Sequence, residues 1–119
     1  MGTSKSDKPQ ANWIGGALLF SGRPDPTWTV DEDVAQQLMA IWDTLEPWLG
    51  ERPAAPLLGY RGCFLRNHMG QEWFAYRAVV TLQMANGSQS RSNPDRSFEK
   101  HLLASAPEGT LPSSLMNDD

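Results

Sequence analysis

Apolar residues run almost unbroken from 13 to 20 (Trp-Ile-Gly-Gly-Ala-Leu-Leu-Phe), between a polar start and Ser21-Gly22. A short apolar run bounded by turn signals predicts a strand buried on both faces. Gly15 and Gly16 inside it predict a bulge or the close approach of a neighbour. Arg23-Pro24 and Asp25-Pro26 follow, and each proline forces the residue before it into an extended or turn conformation.

The period then changes. Val34, Leu38, Ile41 and Leu45 recur at intervals of four, three and four, one stripe of a helix that Trp42 widens. Thr29-Val30-Asp31-Glu32 has capping-box spacing, with Asp31 as the competing N-cap. Pro47 stops the pattern near Glu46. This predicts a helix over 31–46 that carries Asp31, Glu32, Asp33, Asp43 and Glu46 and no basic residue. The last two acids oppose the helix dipole, and we read them as part of a solvated face.

A proline-punctuated connection spans 51–58. Strands are predicted at 60–66 and 72–84, joined by a hairpin loop with Met69-Gly70 as its two-residue tip. Alternation along the second strand puts Phe74, Tyr76, Ala78, Val80, Leu82 and Met84 on the core face. Trp73, Ala75, Arg77, Val79 and Thr81 take the other. With that tip, Leu65 opposes Phe74, Cys63 opposes Tyr76, Arg66 opposes Trp73, Phe64 opposes Ala75 and Gly62 opposes Arg77. The tract 85–95 is polar and reads as a loop, with Asn86-Gly87 as a hairpin-type turn. Asp95 is placed to cap a helix over 96–105 that turns Phe98, Leu102 and Leu103 inward. Beyond 107 the chain reads as loose, with Leu111, Leu115 and Met116 able to dock.

The order β-α-β-β-α predicts an α+β fold: a small sandwich with a mainly antiparallel three- to four-stranded sheet and helices packed on one face. The first crossover is right-handed if its flanking strands are parallel. The expected organisation is a disordered arm at 1–11, one globular domain over 12–105 and a loose tail over 106–119. Open sheet edges call for a fourth strand or a second subunit.

Composition narrows the function classes. The chain has 119 residues and a net charge of −4, without the basic footprint of a nucleic-acid binder. Its apolar runs are too short for a membrane span, so no membrane partner is expected. The single cysteine, Cys63, excludes a disulfide framework and fits a reducing, cytoplasmic setting. Asn86-Gly87-Ser88 matches a glycosylation sequon, and the first six residues match a myristoylation pattern. We read the first as a turn and the second as a coincidence in a polar arm.

Chemistry-bearing motifs are sparse. Cys63 is expected mid-strand on the core face, where a thiol is inert. His68 and His101 lack a spaced set of further ligands, so neither a metal nor any other cofactor is expected. Arg23 sits on a proline-stiffened loop, suited either to a bidentate hold on an anion or to pairing with Asp25 or Asp31. Arg66 and Trp73 are expected to stack on the outer sheet face, near Arg77. Arginine and tryptophan dominate interface hot spots. The reading is therefore a non-catalytic binding protein. It engages a partner protein or peptide, or itself as a homodimer, through Arg23, Trp28, Arg66, Trp73 and Arg77. The alternative is a pocket near the same five residues that binds a small anionic ligand or serves a small enzyme.

Overall fold

The computed structural model describes residues 13–19, 24–51, 53–54 and 59–112. Nine elements follow one another: β1 (Trp13–Ala17), β2 (Thr27–Thr29), α1 (Glu32–Thr44), β3 (Glu46–Pro47), β4 (Cys63–Asn67), β5 (Glu72–Tyr76), β6 (Val79–Met84), β7 (Gly87–Ser92) and α2 (Ser97–Ala104). The fold is α+β, as the patterning predicts, but the antiparallel sheet has seven strands rather than three or four, in the order β2-β1-β4-β5-β6-β7-β3. The β1–β4 pairing is antiparallel, so the chain between them makes no parallel crossover. No helix among the described residues is long and apolar enough to cross a membrane.

One core lies between the sheet and the helices. Ala35, Leu38 and Trp42 of α1 and Phe98, Leu102 and Leu103 of α2 close over Ala17, Trp28, Cys63, Leu65, Trp73, Ala75, Val80 and Leu82. The buried stripe of α1 is centred on 35, 38 and 42. Val34, Ile41 and Leu45 of the predicted stripe flank it, half-buried. The cap of α1 is made by the backbone alone: Asp31 O accepts from Ala35 N at 2.9 Å, and the Asp31 side chain makes no cap bond. Thr29 belongs to β2 instead. Leu45 turns extended, and Glu46 and Pro47 join the sheet. The second helix keeps its predicted inward residues. Asp95 Oδ1 accepts from Ser97 N at 3.0 Å, and Asn93 Oδ1 accepts from Phe98 N at 2.8 Å. Leu111 docks on the core, whereas Leu115 and Met116 lie outside the described residues.

The paired glycines of β1 are close approaches on opposite faces. A Cβ on Gly15 would lie 2.9 Å from Trp28 Nε1, and one on Gly16 would lie 2.2 Å from Phe64 Cζ. The sequence places glycine where a large ring of the neighbouring strand crosses the backbone.

Three sequence expectations fail in the second half, two of them because of one turn. The long strand 72–84 is two strands, because Arg77 (φ 50°) and Ala78 (φ 70°) form a two-residue turn between Tyr76 and Val79. Both central residues are left-handed, the condition of a type I′ hairpin, without the Asn-Gly that usually marks it. Tyr76 pairs with Val79 and shares its face, so alternation reverses across the turn. Core assignments carried back from Val80 and Leu82 therefore put Phe74 and Tyr76 inside and Trp73 outside, the reverse of what is seen. The β4–β5 register is also one residue off the predicted one: Leu65 pairs with Trp73, Phe64 with Phe74 and Arg66 with Glu72. Its loop has three residues, His68-Met69-Gly70. Asn67 Oδ1 accepts from Met69 N (3.0 Å) and Gln71 N (3.1 Å), and Gly70 is left-handed at φ 85°.

The polar tract after Met84 is also not a loop. It is β7, and the hairpin turns at Ala85-Asn86. Strand β7 has no apolar side chain to announce it. Arg91 covers the helix side instead, with its guanidinium 4.2 Å from the Trp42 ring centroid and Nη1 donating to Trp42 O at 2.8 Å.

Candidate functional site

The sequence-predicted surface is not one surface. Trp28 and Trp73 are core residues, 5% and 4% exposed. Trp28 Nε1 donates to Ser105 Oγ at 3.0 Å. Trp73 packs against Trp13 at 6.0 Å between ring centroids, and its buried Nε1 has no hydrogen-bond partner among the described residues. Arg66 is exposed and does lie on the outer face, but its partners are Glu72 (3.1 Å) and the Phe64 ring (4.6 Å), not Trp73. Arg77 is exposed on the β5–β6 turn. Arg23 lies outside the described residues. The two tryptophans invite a direct comparison. Trp28→Phe is expected to cost about 1 kcal/mol more than Trp73→Phe, since only the second change removes an unsatisfied buried donor. Urea unfolding of both variants checks this, and the opposite order would refute it.

What the structure brings together instead is the outer face of the sheet near the Arg77 turn. Strand alternation, corrected for that turn, points Phe64, Phe74, Tyr76, Val79 and Thr81 away from the helices. Pro53 joins Phe74, Tyr76, Val79 and Thr81 around a shallow hollow, and since Tyr76, Val79 and Thr81 are only 6%, 5% and 3% exposed, little of its lining reaches solvent. Thr81 Oγ1 lies 2.8 Å from Ser90 Oγ, which satisfies the one hydroxyl of the lining contributed by β6.

A closed circuit of contacts rigidifies one end of this hollow. Arg77 Nε donates to Tyr76 Oη at 3.2 Å, and its guanidinium lies 5.5 Å from the ring centroid. The Tyr76 ring meets Tyr60 at 6.0 Å. Tyr60 Oη donates to Glu99 Oε2, and Arg96 Nε donates to Glu99 Oε1 at 3.2 Å. Arg96 N donates to Asn93 O (2.8 Å), and Asn93 N donates to Ala78 O (2.7 Å), back at the turn. The non-glycine residues with positive φ among those described, Arg77, Ala78 and Arg96, all lie on this circuit. Such residues cost of order 1–3 kcal/mol each and persist where the surroundings hold them.

Tyr60, Glu99 and the hollow were not legible as site residues, though each left a trace. Glu99 is 1% exposed and stands at i, i+3 and i+4 to Leu102 and Leu103, on the inward face of α2. A thirteen-residue strand at 72–84 is more than twice the usual length of about 5–6, a length that itself signals a turn inside it.

The circuit is not set up for covalent chemistry. Cys63 is fully buried, and its thiol is pushed far above the ordinary range, first by burial and then by the Glu99 charge. Burial is also the main cause that raises the Tyr60 hydroxyl, followed by the neighbouring Cys63 and by its hydrogen bond to Glu99. Neither offers an anion near neutral pH. A ring nitrogen of His101 lies 2.5 Å from Gln37 Oε1, while His68 stands exposed in the β4–β5 loop. Among the described residues no three His, Cys, Asp or Glu side chains converge as metal ligands. What the arrangement offers is an exposed guanidinium held against the Tyr76 ring at a rigid turn.

No family model, curated protein or solved structure matches this chain.

Proposed function

We propose that this chain is a non-catalytic binding protein that engages an extended segment of a partner protein across the outer face of its sheet. The observation that carries this reading is the pair of exposed arginines, Arg66 on the outer face and Arg77 on the adjoining turn, held 4.6 Å and 5.5 Å from the centroids of the Phe64 and Tyr76 rings. Pairing through the sheet edges is the less favoured route. β2 has three residues and follows Pro26, and β3 has two and ends in Pro47, so both edges are short and blunted by proline.

The test is selection of random twelve-residue peptides displayed on phage, followed by NMR mapping of the bound site. Selected peptides are expected to shift the amide resonances of Arg66, Tyr76 and Arg77 and to lose binding to the double variant Arg66→Ala with Arg77→Ala. No selectable peptide, or shifts confined to α1 and α2, would overturn the proposal. A second expectation concerns the turn. Arg77→Gly relieves a left-handed non-glycine residue and should raise stability by about 0.5 kcal/mol, after the entropic cost of glycine in the unfolded chain. The same variant should bind the selected peptides more weakly. A turn kept only for folding would show no loss of binding.

A further inference from the structure

We infer a second docking surface, separate from the Arg66 and Arg77 surface: the uncovered rim of β7 takes a basic, extended segment of a partner protein, with an apolar side chain seated against Trp48 and Leu49. The backbone supplies the first half of the argument. β3 pairs only with Arg91 and Ser92. Its line runs one residue further, where Trp48 N donates to Ser90 O at 2.9 Å, while β7 itself reaches back to Gly87. Backbone groups alternate sides along an antiparallel strand, so Ser88 points its N–H and C=O the same way as Ser90, away from β6. Among the described residues nothing pairs with them, and residues 87–89 are exposed. Pro47 thus blunts the rim along β3 and leaves this stretch of β7 open.

The side chains supply the second half. Leu49 is 93% exposed and Trp48 36%, where the covered and open parts of the rim meet. Trp48 is held in place: Nε1 donates to Glu51 O at 3.0 Å, and the ring lies over Gly50, where a Cβ would stand 3.1 Å from Cζ2. A fixed ring beside a free strand edge loses little entropy when a strand is added there. Charge selects the occupant. Residues 24–51 hold seven carboxylates and no Lys or Arg. Three of them, Asp43, Glu46 and Glu51, are exposed at this end, and among the described residues no cation pairs with them. Arg91 is engaged on Trp42, and Arg52, which lies outside the described residues, offsets one of the three at most. Such a rim attracts lysine or arginine and repels a second copy of the same chain.

The experiment selects random twelve-residue phage peptides on the full chain carrying Arg66→Ala and Arg77→Ala, so that the first surface is absent. Selected peptides are expected to alternate basic and apolar residues, to bind more weakly as salt rises, and to protect the Ser88 amide from hydrogen exchange. Leu49→Ser, a change at an exposed position, should weaken them about tenfold, the low end for burying a leucine side chain. Ser88→Pro removes the outward N–H, leaves the pairing with β6, and should weaken them at least as much. Peptides that protect Ser88 without any basic preference would overturn the inference, as would a selection in which no peptide protects Ser88. Concentration-dependent dimerisation of the full chain, lost in Leu49→Ser, would overturn it in favour of a second copy. Each of these failures leaves the Arg66 and Arg77 surface standing, because that surface is tested on the unmutated chain.

Discussion

Replacing Gly62 by alanine is expected to lower stability by about 3 kcal/mol, through added strain and overpacking at one position. Gly62 has φ 118°, a region that side chains seldom occupy. A Cβ there would lie 2.5 Å from Phe74 Cζ and 3.0 Å from the Ala75 carbonyl oxygen. The first neighbour can rotate away, but it is a wall of the hollow. The second is backbone of a central strand and cannot move without disturbing β5. The position is also fixed from its other side, since Gly62 O accepts from Leu18 N at 2.8 Å and Arg61 N donates to Leu18 O at 2.8 Å. Urea unfolding gives the stability, and the Phe74 amide resonance reports the wall. A variant within about 0.5 kcal/mol of the parent, as neutral surface changes usually are, would show that the ring and strand yield freely and would defeat the argument.

The same neighbourhood shows why sequence patterning reached the fold class but not the site. Helix α1 was legible because Val34, Leu38, Ile41 and Leu45 recur at intervals of four, three and four, which a strand's period of two does not satisfy. Helix α2 was legible because Asp95 and Phe98 mark its start and its buried side. Strand β4 was also assigned the correct faces, with Cys63 and Leu65 inward and Phe64 and Arg66 outward. The failure began at Arg77-Ala78. Hairpin turns are read from glycine, asparagine and proline, and this turn uses none of them. Period-two patterning then carries the wrong parity across the break, and every side chain from Trp73 to Tyr76 changes face. An aromatic strand such as β5 does not reveal the error, because either parity presents an apolar surface: Trp73 and Ala75 on one side, Phe74 and Tyr76 on the other. Strand β7 escaped for a different reason. Its buried contact is the flat guanidinium of Arg91 over Trp42, which no hydropathy pattern records.

Raising the pH should destabilise the fold from about pH 8.5 upward, where the lysines still carry their charge, and by about 3 kcal/mol near pH 10.5. The cause is the pair of groups at the foot of the contact circuit. Cys63 is fully buried and Tyr60 half-buried, and both hold their protons in the folded state far above the ordinary thiol and phenol ranges. In the unfolded chain they ionise at about 8.5 and 10. Below those values the two states bind the same protons and stability is flat. Above them the unfolded state releases a proton that the folded state keeps, and each group lowers stability by about 1.4 kcal/mol per pH unit. Cys63 supplies most of the loss, because its unfolded value is lower and its burial complete. Tyr60 adds a smaller share, discounted for its partial exposure. Urea midpoints at pH 7, 9 and 10.5 measure the effect. Cys63→Ala separates the two contributions: whatever it costs at neutral pH, its stability should fall with pH by about one proton less than the parent's. Identical slopes for the two proteins would mean that the thiol ionises in place, and that this end of the sheet is open to water rather than sealed by Tyr60, Glu99 and Arg96.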